Sequence, residues 1–207
     1  MTKFYDLHLA DLKNKTEYLF EMSDEKRRNR ALHYYHEEDR LRCLGAGYLM
    51  KRYLPDYSEE KLCCGNDGKP YLKDGVPFSI SHGGDHIVMA YDEGAKAVGV
   101  DVEPVKDMSF YEPILSSYTT EKERILIGDD AHKAVWVWTR KESLYKCLGE
   151  GFSDFLQLPD TTENIVSFSG KTILLKSFEQ DGHIFSLALE VMVKSMEITL
   201  EYLPVSL

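Results

Sequence analysis

The sequence predicts an α+β protein built from two similar-sized halves. Three observations carry this. Apolar residues recur at helical spacings within 24–53, alternation takes over from Phe78, and the same order of helices and then strands returns after Thr119. The 207 residues amount to one large domain or two small ones, and a boundary near 98–104 divides them into halves 1–98 and 99–207. With 43% hydrophobic and 12% aromatic residues the chain can bury a core, which excludes disorder, collagen-like repeats and coiled coil.

Taken in order, Leu32, Tyr35, Leu41, Leu44, Tyr48 and Leu49 mark helices over 24–37 and 39–53, with Ser23 as the N-cap of the first. Pro55 stops the second, and Gly65 to Pro70 is a turn-rich loop. Phe78 to Ser81 alternates, Ile87 to Tyr91 is a short apolar run, and Val98, Val100 and Val102 alternate with Gly99, Asp101 and Glu103. These are strands, separated by Gly83-Gly84 and by Asp92-Glu93-Gly94. Thr119 to Ile127 and Ala131 to Leu148 read as helices, with Asp129-Asp130 leading favourably into the second. The tail gives strands near 172–178, 183–191 and 197–202. No repeat is visible in the letters, and a seam at the acidic pair 101/103 is a common position for a ligand cleft.

The 25 Lys+Arg against 35 Asp+Glu give a net charge of −10, which opposes nucleic-acid binding because phosphate neutralisation needs a cationic face. Basic residues still cluster locally, most densely at Lys26, Arg27, Arg28 and Arg30. No apolar stretch approaches the roughly 18 residues that span a bilayer. The N-terminus lacks a signal-type apolar core, so no membrane partner and a cytoplasmic location are expected. Cys43, Cys63, Cys64 and Cys147 have no CxxC spacing for zinc, and a bridge between the adjacent pair is strained, so reduced thiols are expected.

Two constellations carry chemistry. Asp101 and Glu103 stand two apart on a strand, so both carboxylates project from one face while Val100 and Val102 project from the other. Adjacent acids on a half-buried strand repel unless a cation lies between them, and a hard, oxygen-preferring ion such as Mg2+ fits. An edge strand showing its acids to solvent has the same spacing. The second constellation is Trp138-Thr139-Arg140-Lys141-Glu142-Ser143-Leu144-Tyr145-Lys146, where Glu142 and Lys146 share a helix face with Trp138 one turn earlier. Read alone, that pair is an ordinary surface ion pair. His33, His36 and His86 make no metal spacing with the cysteines and read as surface or packed histidines. Trp136 reads as core, and Gly83-Gly84 as a turn rather than a phosphate loop.

Gly99-Val100-Asp101-Val102-Glu103, followed about forty residues later by the Trp138 to Lys146 segment, resembles the two-part signature of the Sfp-type 4'-phosphopantetheinyl transferases, G-[IV]-D-[IV]-E and W-[ST]-x-K-E-[SA]-x-x-K. The likeness extends upstream. Pro77 to Gly84 is similar to the family's [FN]-[SN]-[IL]-S-H-[ST]-G segment, Gly68-Lys69-Pro70 to its G-K-P, and Arg27, Arg30 and Tyr35 to Arg42 to its N-terminal basic helix. It spans about residues 23–150, and position 43 departs from it, with Cys43 where a small hydroxyl residue is expected.

The resemblance implies two α+β halves related by a pseudo-twofold axis, with coenzyme A in the cleft between them. It implies a monomeric transferase that moves the phosphopantetheine arm of coenzyme A onto a serine of an apo acyl or peptidyl carrier protein, releasing 3',5'-ADP. Carriers of fatty-acid, polyketide or nonribosomal-peptide synthesis all suit it. Asp101, Glu103 and Glu142 match the metal acids, for Mg2+ or Mn2+, and Lys146 matches the lysine near the pyrophosphate. Arg27, Arg30, Arg42, Lys69, Ser81, His82 and Lys141 match positions that hold coenzyme A, and Glu121 falls where the family carries a further glutamate. The proton acceptor is then Glu142, Glu121 or a metal-held water. A non-catalytic coenzyme A or carrier-protein binding module is the alternative, and an Mg2+-dependent phosphohydrolase would use the same acids.

Overall fold

The computed structural model describes residues 1–65, 68–149, 157–192 and 198–207. The chain opens with a strand that the sequence reading left unassigned, β1 (Thr2–His8), whose backbone is buried on both faces. Three short helices follow, α1 (Leu9–Leu12), α2 (Thr16–Met22) and α3 (Glu25–Leu32), and then the long α4 (Glu37–Tyr53). A small hairpin of β2 (Leu62–Cys64) and β3 (Pro70–Leu72) precedes β4 (Phe78–Gly83) and β5 (His86–Tyr91). The second run is β6 (Ala97–Pro104), α5 (Met108–Tyr111), α6 (Leu115–Tyr118), α7 (Glu121–Ile127), α8 (Ala131–Leu148), β7 (Ile165–Phe168), β8 (Lys171–Gln180), β9 (His183–Val191) and β10 (Leu200–Val205).

The duplication missing from the letters is plain in the pairing. In the first run β1 pairs antiparallel with β5, and β5 with β4; in the second, β6 pairs with β9, and β9 with β8, again antiparallel. Each run is thus a strand, short helices, one long helix and a closing hairpin. The sheets read β10-β1-β5-β4 and β6-β9-β8-β7. One exchange breaks the division into 1–98 and 99–207: β10 lies parallel to β1, with Thr2 opposite Leu200, so the last strand of the second half completes the first sheet.

Several local expectations are corrected. The helix expected over 24–37 ends at Leu32, and the apolar letters that extended it are on the surface, Leu32 at 62% and Tyr35 at 89% exposure. Its cap is Asp24, whose carboxylate accepts from the Arg27 amide at 2.8 Å, while Ser23 closes the helix before it. The last strand runs over Leu200–Val205 rather than 197–202, and residue 197 lies outside the described residues. Asp130 caps α8 through the amides of His132 and Lys133. Trp136 is half-buried at the edge of the core, with the Arg140 guanidinium 4.1 Å over its ring. Among the described residues no helix is long and apolar enough to cross a membrane.

Candidate functional site

The site begins where α8 lies on β6. Gly99, Asp101 and Glu103 occupy one face of β6, while Val98, Val100 and Val102 enter a core with Phe4, Val88 and Phe185 on the other. A Cβ at Gly99 would stand 1.9 Å from the Ser143 carbonyl oxygen and 2.6 Å from the Cys147 nitrogen. Only glycine therefore lets the helix come this close. That approach brings Lys146 Nζ to 2.7 Å from Asp101 Oδ1 and 2.9 Å from Ser81 Oγ, whose hydroxyl donates to the same Asp101 oxygen at 2.8 Å. Asp101 Oδ2 is buried and has no hydrogen-bond partner among the described residues.

Ser81 arrives from the other half because β4 is clasped to β6 although the two belong to different sheets. The Val100 amide donates to Ser79 Oγ at 3.1 Å, and a Cβ at Gly83 would stand 1.9 Å from the Val102 carbonyl oxygen. Between the halves lies a cleft of about 1120 Å³. Arg27, Arg30, Arg42, Ser81 and His82 line it from the first half, and Asp101, Glu103, Glu142 and Lys146 from the second. Arg27 is buried and donates to the Cys43 carbonyl at 3.3 Å. Arg42 is aimed by Asp39 at 2.8 Å and by the Gly84 carbonyl at 2.9 Å. The wall thus carries guanidiniums on one side and carboxylates on the other.

The electrostatics follow from this crowding. Burial, and then the neighbouring Asp101 charge, push Glu103 up to about 7. Burial also raises Glu142, with Asp101 adding to the shift and Lys146 opposing it. The His82 ring edge reaches solvent, yet its enclosure against the wall, and then Arg42 and Lys146, hold the imidazole below its usual range.

Asp101, Glu103 and Glu142 form an all-oxygen donor set suited to a hard divalent cation. Among the described residues no three His, Cys, Asp or Glu side chains converge into a formed metal site. The unpartnered Asp101 Oδ2, together with two carboxyls pushed toward their neutral form, marks the place where a cation would be accommodated. On donor chemistry and on this orphaned atom, the residues fit one.

Three expected site residues stand elsewhere. Lys141 is fully buried, 3.1 Å from Glu123 and donating to the Pro159 carbonyl at 2.9 Å, so it fastens α8 to the 158–161 segment instead of facing the cleft. Glu121 is exposed in the first turn of α7 and does not line the cleft; the neighbouring acid with a built environment is Glu123. Lys69 lines a separate hollow of about 330 Å³ and donates to the carbonyls of Val98 at 2.9 Å and Lys146 at 2.5 Å, tying its loop to β6 and α8.

The sequence reading also missed cleft residues. Tyr34, Glu59 and Cys63 line the cleft, and Glu59 is raised by burial and by a hydrogen bond to Asp24. Glu59 follows Pro55 in a stretch with no helical or strand period, so no pattern flagged it; Tyr34, next to the basic helix, was open to detection.

The family model of the 4'-phosphopantetheinyl transferase superfamily matches residues 97–193, which contain both β6 and α8. The chain is 26% identical over 157 residues to the 4'-phosphopantetheinyl transferase ffp of Bacillus subtilis, covering 67% of this chain and 66% of that protein. It is 28% identical over 128 residues to the 4'-phosphopantetheinyl transferase gsp of Aneurinibacillus migulanus, covering 57% of this chain and 52% of that one. The matched stretch spans just under two thirds of the first relative and about half of the second. The glycine-seated helix and the acidic strand both lie inside the segment, residues 97–193, over which the chain is similar to the 4'-phosphopantetheinyl transferase superfamily.

Proposed function

We propose that the chain transfers the 4'-phosphopantetheine arm of coenzyme A to a serine hydroxyl of an apo acyl or peptidyl carrier protein, releasing 3',5'-ADP. The observation that carries this reading is the single cleft, with Arg27, Arg30 and Arg42 on one side and Asp101, Glu103, Glu142 and Lys146 on the other. Guanidinium forks match phosphate oxygens two at a time, so the three arginines hold the nucleotide phosphates. Ser81 and His82 border the same space.

Asp101, Glu103 and Glu142 would hold Mg2+, or Mn2+ in its place, which supplies charge neutralisation at the pyrophosphate oxygens. The serine oxygen forms a bond to the phosphorus bearing the pantetheine arm, and the bond from that phosphorus to the bridging oxygen breaks. 3',5'-ADP leaves with the electron pair. Lys146 stabilises the charge that builds on the leaving phosphate. Glu142, which lines the cleft, or a water in the site takes the serine proton. Both signature segments lie in one chain, which supports a monomer with its site complete.

The test is intact-mass spectrometry of apo acyl and peptidyl carrier proteins incubated with the protein, coenzyme A and Mg2+, with and without chelator. A mass gain of one phosphopantetheine arm that vanishes with chelator is expected. Coenzyme A bound but never transferred would favour the binding module, and coenzyme A consumed without any carrier would favour a phosphohydrolase.

A further inference from the structure

The geometry points to a second task for Lys146: it is the resident counter-ion of the acidic cluster and must leave Asp101 before a divalent cation takes that carboxylate. This rests on the metal role proposed above for Asp101, Glu103 and Glu142. Among the described residues, the contact of Lys146 with Asp101 is the one salt bridge these three carboxylates make. It is short, at 2.7 Å, and the Asp101 side chain is only 5% exposed against 24% for Lys146. Ser81 accepts from the ammonium and donates to the carboxylate, so it fixes both ends.

An ammonium and a divalent cation bound to one enclosed carboxylate repel each other strongly, because little water screens them. Lys146 holds Oδ1, and Oδ2 has no partner among the described residues, so a cation that enters at Oδ2 meets the ammonium across one carboxylate and drives it off Oδ1. Lys146 stands one helical turn after Glu142 on a long, rotatable stem, so it can swing into the cleft without moving α8. A pyrophosphate in the cleft offers the ammonium a stronger partner, which releases Asp101 to the cation. Phosphate and cation binding then reinforce each other, and the coupling is reciprocal.

Mn2+ binding to the full chain, read from the free-ion paramagnetic resonance signal, tests this without any turnover. Lys146→Met is expected to bind Mn2+ about tenfold more tightly than the unsubstituted protein, and Lys146→Arg to return to weak binding. Coenzyme A is expected to tighten Mn2+ binding in the unsubstituted protein and to tighten it less in Lys146→Met. A second measurement needs no variant: acetic anhydride labelling of Lys146, followed by peptide mass spectrometry, should speed up at saturating Mg2+. Equal Mn2+ affinity in the Met variant and the unsubstituted protein, or Lys146 labelling unchanged by bound Mg2+, overturns the counter-ion role and leaves the metal reading standing. No Mn2+ bound by any form, with or without coenzyme A, overturns the metal reading itself and this inference with it.

Discussion

Asp101 accepts from Lys146 and from Ser81 on one oxygen and keeps the other empty-handed, so its removal disturbs charge more than packing. Asp101→Ala or Glu142→Ala is expected to lower carrier modification at least about a hundredfold with the circular dichroism spectrum unchanged. A wild-type rate in either variant would sink the metal assignment. Gly99→Ala is the opposite case, a change of one methyl group that meets backbone rather than a movable side chain. It should cost about 3 kcal/mol or more in a denaturant titration, since α8 must lift off β6. His82 gives a pH signature. Its folded-state value lies below its unfolded one, so its contribution to stability is whole above about pH 6.5 and is lost as the pH falls through the lowered value. An anion against Arg42 and Lys146 reverses part of that shift, so coenzyme A binding should take up protons below about pH 7. Calorimetry in two buffers of different ionisation heat measures the uptake, and an equal uptake by His82→Gln would refute it.

Among the elements, α8 shows how far a helix face was legible. The spacing of Glu142 and Lys146 put both on one face, because residues four apart share a face whatever surrounds them, and both line the cleft. Lys141 was misplaced because one step along a helix turns the side chain by about 100°. That turn carries it to Glu123 on α7, a partner no local spacing announces. The pair is lopsided. Glu123 also accepts from the Thr161 amide at 2.7 Å and hydroxyl at 2.8 Å and from the Thr120 amide at 2.8 Å, whereas Lys141 otherwise has the carbonyls of Leu158 and Pro159. Glu123→Ala should therefore cost about 3–5 kcal/mol, by stranding a buried ammonium and three donors. Lys141→Met should cost clearly less. Equal losses in the two variants, measured by chemical denaturation, would show that the hydrogen bonds to Glu123 add nothing. The helix expected at 24–37 overran for a related reason: Leu32 and Tyr35 fit an apolar stripe that no neighbour covers.

At the scale of the molecule, the fold class was legible from the alternation of periods, because a period of two or of 3.6 needs no partner to be seen. The strand pairings were not. β1 carries the letters of a buried strand, but its neighbours, β5 and β10, lie far along the chain. The net charge of −10 was equally blind to the basic wall of the cleft, where Arg27 and Arg30 come from the basic run on α3 and Arg42 joins them from α4. Ionic screening over about 8 Å makes that wall count for more than the total. The exchange of β10 predicts that shortening the chain before Leu200 uncovers β1 and the face of Phe4 that stacks on Tyr202. Such a variant should lose several kcal/mol and bind a hydrophobic dye; full stability by thermal melting would contradict the role of β10.

The parallel contact of Thr2 with Leu200 also gives the molecule a clock. β10 is synthesised long after the β1 it pairs with, so a nascent chain holds β1 with one edge open until Leu200–Val205 has emerged. Chaperone demand should then track the interval between the synthesis of β1 and that of β10, and slow codons within that interval should raise aggregation. Fluorophores beside Thr2 and beside Leu200, brought together only when that edge is shut, would report the moment at which the edge closes.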